Sequence, residues 1–355
     1  MARKKAVWLH PSATLETYKT RDAWEASRNS DPERLGASDV SALWGMGYRT
    51  PLSLWQEVLR RRRGDPPEPT PDGLADRFAI GAYLEPYVRS LASHEIPGGV
   101  LSPADFGAEF HRVLPDDDPL TLPPAITKHL AVTLDGLARD DETGGFVPVE
   151  IKTVDPGAVS GWPLDRPHPS AALQAAAQAV VIRSGYAYVY AMVGYGTGER
   201  SRRLYRVDVP PGFPDELARR LLEFFHSVEI QEPPEVMAED SERIGKMFPR
   251  AVDGKVIWLP GTLARTVLER ENIKANMADM GKQVDALDAK IKMAMQDAEV
   301  GLIQGTDLAI AYPTVTKVEK PRLEEKIVTY RRLSVRQAKR DEIQRALVPG
   351  EESNG

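Results

Sequence analysis

The stretch LDGLARDDETGGFVPVEIKT occupies residues 134–153. Two apolar, strand-like runs flank the polar loop DDETGG, and each run carries charge: Asp135 in the first, Glu150 and Lys152 in the second. Ionised groups among strand residues are costly to bury unless they are paired or hold a metal. If the loop closes an antiparallel hairpin centred between Glu142 and Thr143, Asp135 and Glu150 lie equally far from that centre and face each other. Directly opposed residues place their Cβ atoms ~5 Å apart, and two carboxylates that close repel unless a cation sits between them. The register therefore predicts a metal. Side chains alternate along a strand, so Lys152 shares the face of Glu150 while Ile151 turns into the core. Oxygen ligands favour Mg²⁺ or Mn²⁺ over zinc, and such an ion can hold a phosphodiester and lower the pKa of its bound water. Without a metal, the same residues read as a surface hairpin with a cross-strand salt bridge.

Outward from this hairpin, proline and glycine clusters punctuate the chain at 63–73, 95–99, 115–124 and 231–235. Between them the patterning predicts helices over 38–45, 51–62 and 75–94, strands over 130–139 and 146–153, a helix over 169–184, strands over 186–194 and 202–209, and a helix over 214–228. This order implies an α/β (α+β) fold with a mixed sheet flanked by helices. The predicted organisation is an N-terminal extension (1–33), a catalytic domain (34–235), an appendage (236–345) and a disordered tail (346–355). In the appendage, Met277, Met280, Val284, Leu287, Ile291 and Ala294 recur at spacings of three and four, a heptad seam on a long helix over 262–297. A seam this short reads more readily as a helix packed on its own chain than as an oligomerisation coil. After it, DLAIAYPTVTKVE alternates like a strand.

At 355 residues with no cysteine, the chain has length enough for a full core, and disulfides, cysteine-bound zinc and iron–sulfur clusters are excluded. No apolar run is long enough to span a bilayer and no signal-peptide core precedes the domain, so the expected location is the cytoplasm. The net charge of −6 would ordinarily count against a nucleic-acid partner. For a nuclease that argument is weak, because metal-binding acids add negative charge while phosphate contacts need only a local basic stripe. Two such stripes exist: Arg60–Arg63, and a block from Lys317 to Arg340. No phosphate-binding G-x-x-x-x-G-K motif is present, and His10, His94, His111, His129, His168 and His226 lack metal-ligand spacing, so they read as structural or solvated. Trp44 and Trp55 read as core.

The arrangement Asp135, Glu150-x-Lys152 resembles the PD-(D/E)XK nuclease superfamily. Its company is more specific. RLGASDVSALWGMGYRTPLSLW (34–55), AIGAYLEPYVRSLA (79–92) and LQAAAQAVVIRSGYAYVYAMV (173–193) resemble, in order and spacing, the signatures of the YqaJ-type viral recombinase family, to which lambda-type exonucleases are related. YRRLSV at 330–335 extends the likeness to the tail. The resemblance implies that Asp135 and Glu150 ligate the metal with the carbonyl of Ile151, that Glu85 faces the same ions, and that Lys152 is the catalytic lysine. Gln174 would contact Lys152, a metal-bound water or the DNA backbone, with Gln178 a weaker candidate one turn on. A second polar residue expected two places after Gln174 is replaced by Ala176.

Arg34 and Ser38 would grip a terminal 5′-phosphate, with Ser38 capping the following helix. Pro86 in LEP suggests a helix kink near Glu85. The implied activity is Mg²⁺-dependent exonucleolytic digestion of double-stranded DNA ends, 5′ to 3′, leaving 3′ single strands for recombination. A phage single-strand annealing protein and a homo-oligomeric ring are the implied partners, and no membrane. A restriction-like or repair endonuclease on the same scaffold and a non-catalytic DNA-binding or assembly protein are the alternatives.

Overall fold

A computed structural model describes residues 13–314 except 48, 70–71, 106, 108, 116–121, 141–142, 197, 199–200 and 305–307, together with the backbone of 3–4. The basic block from Lys317, the YRRLSV segment and the tail lie outside the described residues. Contacts divide the chain into two units, 1–243 and 244–355.

The first unit begins with β1 (Arg3–Lys4), β2 (Ala13–Tyr18), α1 (Arg21–Asn29), β3 (Leu35–Gly36), α2 (Ala37–Val40), α3 (Pro51–Arg63) and α4 (Asp72–Glu95). It continues through β4 (Val100–Leu101), β5 (Phe110–Pro115), α5 (Pro124–His129), β6 (Leu130–Ala131), β7 (Gly136–Arg139) and β8 (Phe146–Val154). Then come α6 (Pro169–Ile182), β9 (Tyr186–Val193), β10 (Arg202–Asp208) and α7 (Phe213–Glu229). The main sheet has the order β10-β9-β8-β7-β4. It is mixed: β8 and β9 run parallel, while the pairs β9–β10, β7–β8 and β4–β7 are antiparallel. The parallel pair follows from α6, since returning the chain in the same direction needs a crossover of helix length.

Each face of this sheet is sealed by a helix. On one, Val147, Val149 and Ile151 of β8 pack with Val88 and Ala92 of α4. On the other, Val154, Val189 and Ala191 pack with Ala171, Ala175 and Ala179 of α6. The alanines let α6 lie close to the sheet. Gly81 does the same for α4, since a Cβ there would come within 3.3 Å of Thr153 Oγ1. α4 runs on through Pro86 as one helix.

Several sequence expectations need correction. The strand expected over 130–139 is two short ones, β6 and β7, with Asp135 in a bend between them. The helix expected over 38–45 is the four-residue α2 followed by a 3-10 turn, Ser41–Trp44, and Gly36 rather than Ser38 occupies the N-cap. The sequence reading assigns no element before residue 38 or between 95 and 130. The structure has a second sheet there, β1-β2-β5, pinned by α1 through Trp24 Nε1, which donates to the His111 carbonyl at 3.0 Å.

Trp55 is buried as expected, and its indole N–H donates to Ser227 O at 3.2 Å. Trp44 is half-buried, stacked on Phe213 with Arg220 over its ring. α8 (Ser241–Met247) spans the division between the units.

The second unit holds α9 (Leu263–Met295) and a hairpin of β11 (Val300–Leu302) and β12 (Ala309–Ala311). The long helix is as expected; of the strand expected over 307–319, Ala309–Ala311 form β12, 312–314 are not strand, and 307 and 315–319 lie outside the described residues. The seam is not packed on its own chain among the described residues: Met277, Met280, Val284, Leu287 and Ile291 are all exposed. No helix among the described residues is long and apolar enough to cross a membrane.

Candidate active site

β8 is hydrogen-bonded to a strand on each side, which fixes its backbone and the side-chain alternation along it. The β7–β8 register pairs Gly136 with Val149 and Arg139 with Phe146. One residue beyond β7, the same register brings Asp135 opposite Glu150, as the loop-centred hairpin predicts. Asp135 Oδ2 accepts the Ile151 N–H at 2.9 Å. Gly136 is required beside it, because a Cβ there would lie 2.6 Å from Val100 Cγ1. Ile151 itself is turned into the α4-side core, as alternation demands.

Glu150 and Lys152 share the α6 face. Glu150 is 1% exposed. Its Oε1 lies 2.6 Å from Lys152 Nζ, and its Oε2 accepts from Gln178 Nε2 at 2.6 Å. Lys152 Nζ also donates to Gln174 Oε1 at 3.0 Å, so the glutamine expected beside the lysine is there. Gln178 is found on Glu150 and on the Thr133 carbonyl, at 3.1 Å, instead of on Lys152. An i, i+4 polar pair on an otherwise apolar helix was its only signal in the sequence.

The acids feel one another. Burial pushes the half-buried Asp135 carboxyl well above the usual range, Glu150 and then Glu85 push it further, and Lys152 and the Ile151 N–H oppose the rise. Glu85 reaches the cluster from α4, where the Arg89 guanidinium donates to its carboxylate. Burial raises its pKa, Arg89 counters, and Glu150 adds to the rise. Among the described residues no three His, Cys, Asp or Glu side chains stand close enough to hold an ion as they lie; Glu150 is turned onto the Lys152 ammonium instead. The donor set still suits a hard cation. It consists of carboxylates, two of them meeting across neighbouring segments with a repulsion that one ammonium leaves partly unrelieved.

Beside the acids lies a cavity of about 170 Å³ whose wall includes Asp135 and Gln174 together with Arg28, Arg34, Arg61, Arg112 and Ser38. The parallel β3–β6 pair creates this adjacency: Leu35 and Gly36 lie beside Leu130 and Ala131, which carry the chain into Asp135. His111 steadies the same approach, its Nε2 accepting the Leu134 N–H at 3.1 Å, a structural role of the kind expected for the histidines.

The guanidinia are only partly neutralised. Arg112 pairs with Asp31 at 2.7 Å and Arg61 with Glu57 at 3.0 Å. Arg34 lies 3.6 Å from Asp31, and its Nε has no partner among the described residues. Burial lowers the Arg28 pKa, Asp39 counters, and Arg61 and Arg112 lower it further. Such a cluster attracts anions. Sequence reasoning found Arg34 and Ser38, and Arg61 within the Arg60–Arg63 stripe, but missed Arg28 and Arg112, which long-range pairing gathers. Of the Arg60–Arg63 run, Arg61 lines this cavity, and all four arginines are paired with acids. Arg60 and Arg61 are bound to Glu57, Arg62 to Glu33 and Arg63 to Asp65.

No protein-family model matches the chain, and no curated protein matches it. Among solved structures it is similar to LHK-Exo in complex with dAMP, at 15% identity and TM-score 0.44, over 64% of this chain and 98% of that one. It is also similar to the alkaline exonuclease LHK-Exo from Laribacter hongkongensis, at 15% identity and TM-score 0.40, over 64% and 99%.

Proposed function

We propose that this protein is a Mg²⁺-dependent DNA exonuclease of the YqaJ and lambda type, acting on the 5′ ends of linear duplex and leaving 3′ single strands. One observation carries the reading: a single cavity wall joins a cluster of guanidinia to Asp135 and Gln174, beside Glu150 and Lys152. Asp135, Glu150, the Ile151 carbonyl and Glu85 would hold the ion, with Mn²⁺ able to replace Mg²⁺. When bound, the ion supplies positive charge that polarises the phosphodiester and acidifies water.

The chain's own groups do the rest. Arg28, Arg34 and Ser38 bind the terminal phosphate, which sets the distance from the DNA end to the bond that breaks. Lys152, held by Gln174, directs its ammonium at the attacking water or at a phosphoryl oxygen, where developing negative charge is stabilised. Residues 34–235 form the nuclease domain in this reading, 1–33 and 236–345 its extensions and 346–355 a tail. Work in a cytoplasm with a single-strand annealing protein, and assembly into a ring of subunits, follow from the sequence resemblance and belong to the same proposal.

The test compares linear duplex with and without a 5′-phosphate against covalently closed duplex, in Mg²⁺ and in EDTA. Digestion confined to linear DNA, faster with the 5′-phosphate and abolished by EDTA, is the expected result. Cutting of closed circles points to the endonuclease alternative, and EDTA-resistant digestion overturns the metal assignment.

A further inference from the structure

We infer that Gln178 is a positioning residue that braces Glu150 against the segment leading into Asp135 and so sets how the two acids meet a divalent cation. The inference rests on the metal reading above and adds a residue to it. Gln178 is fully buried on α6. Its amide nitrogen donates to Glu150 Oε2 at 2.6 Å and to the Thr133 carbonyl at 3.1 Å, two residues before Asp135. One NH₂ group thus ties together the two chain segments that carry the acids. Only the nitrogen end of the amide can serve a carboxylate and a carbonyl at once, so the orientation of the group is fixed by its partners.

The amide is satisfied on one side only: its nitrogen pairs two acceptors, Glu150 Oε2 and the Thr133 carbonyl. Its Oε1 has no partner among the described residues, and a buried acceptor left unpaired is destabilising. The rest of the buried face of α6 is apolar: Ala171, Ala175 and Ala179 pack on β8 and β9. An aliphatic side chain would match that face but leave the Glu150 and Thr133 oxygens without this donor. What Gln178 supplies that an aliphatic residue cannot is a hold on one oxygen of Glu150. Oε2 is fixed from the interior by the amide, whereas Oε1 is held by Lys152, whose side chain is 30% exposed. Oε1 is therefore the oxygen whose partner can exchange, and Gln178 presents it. Removing a group that orients a metal ligand typically costs ~10–100-fold in metal affinity.

The test measures Mn²⁺ binding to the full-length protein by isothermal titration calorimetry, for the wild type, Glu150→Ala, Gln178→Met and Gln178→Asn. Gln178→Met keeps the volume and removes both donors. Its expected Mn²⁺ Kd is ~10–100-fold weaker, with KM for linear duplex close to wild type; its melting temperature in EDTA should fall, because the Glu150 and Thr133 oxygens lose a donor, so binding is measured well below that temperature. Gln178→Asn keeps the amide and withdraws it by one methylene, so it covers the case in which the methionine variant does not fold, and it should weaken binding in the same direction. Wild-type Mn²⁺ affinity in a folded Gln178 variant overturns the inference. A wild type that binds Mn²⁺ and a Glu150→Ala that does not leave the metal reading standing whatever the Gln178 variants do. A wild type that takes up no Mn²⁺ removes the metal reading and this inference together.

Discussion

Replacing Asp135 by Asn should make the metal-free protein more stable and the metal-loaded protein relatively less so. Asp135 sits under burial and the charges of Glu150 and Glu85, which together push its carboxyl well above the ordinary range. The folded state therefore binds this proton more tightly than the unfolded chain does. Stability from this group is complete below the ordinary carboxylate pKa of ~4 and is lost as pH rises toward the folded value. Asparagine removes the charge and keeps an oxygen for the Ile151 N–H.

Two carboxylates ~5 Å apart repel by ~3 kcal/mol at an effective dielectric of ~20. The Lys152 ammonium offsets part of this, leaving ~1–2 kcal/mol to be regained. For a unit of this size that corresponds to a rise in Tm of ~3–6 °C. A cation at ~100 times its Kd adds ~2.7 kcal/mol to the wild type alone, which reverses the order. The assay is a pair of thermal melts at pH 7.5, one in EDTA and one in Mn²⁺, with a third at pH 4, where the two proteins should converge. An Asp135→Asn protein that melts at or below wild type in EDTA, or that gains as much from Mn²⁺, refutes the argument.

Glu150→Ala and Lys152→Ala should each lower digestion of linear duplex by ~10²–10⁴-fold, measured as release of acid-soluble nucleotide; near wild-type rates in both would unseat the site. Arg28→Ala and Arg34→Ala should reduce the advantage of a 5′-phosphorylated end over a 5′-hydroxyl end with little change on the hydroxyl substrate, and a preserved ratio of rates would remove the phosphate pocket. Burial pushes the Glu57 carboxyl up, but hydrogen bonds and charge from Arg60 and Arg61 outweigh it and hold the pKa at about 2. Its contribution, ~2 kcal/mol after allowance for solvent screening, is present above the ordinary carboxylate pKa and lost as pH falls toward about 2. Glu57→Gln should therefore destabilise at pH 7, with a deficit that shrinks in acid; equal deficits at both pH values would count against it.

The hairpin was legible because its information is local. Six loop residues between two short apolar runs fix the register, and the register places Asp135 against Glu150 without further knowledge. The helices over 51–63, 169–182 and 213–229 were legible for the same reason, being bounded by proline, glycine or a cap. The arginine cavity was not. Arg28 comes from α1 and Arg112 from β5, and β2–β5 and β3–β6 pairing helps bring them to Ser38. β3 and β6 are two residues each, too short for any periodicity to show. The Arg60–Arg63 run misled in part, since Arg61 lines the cavity but all four arginines are paired with acids. Its neutralising acids Glu33, Glu57 and Asp65 include one 29 residues from its arginine, a pairing that composition cannot reveal.

The crossover from β8 through α6 also bears on the order in which the molecule assembles. The Lys152–Gln174 and Glu150–Gln178 contacts close loops of 22 and 28 residues, whereas the contact of Thr50 with Asp240 spans 190. Short loops close at lower entropic cost and earlier in folding. The Asp135 contact with Ile151 closes a loop of only 16 residues, so Asp135, Glu150 and Lys152 are all gathered by short loops, and Glu85 is the acid that comes from farther along the chain.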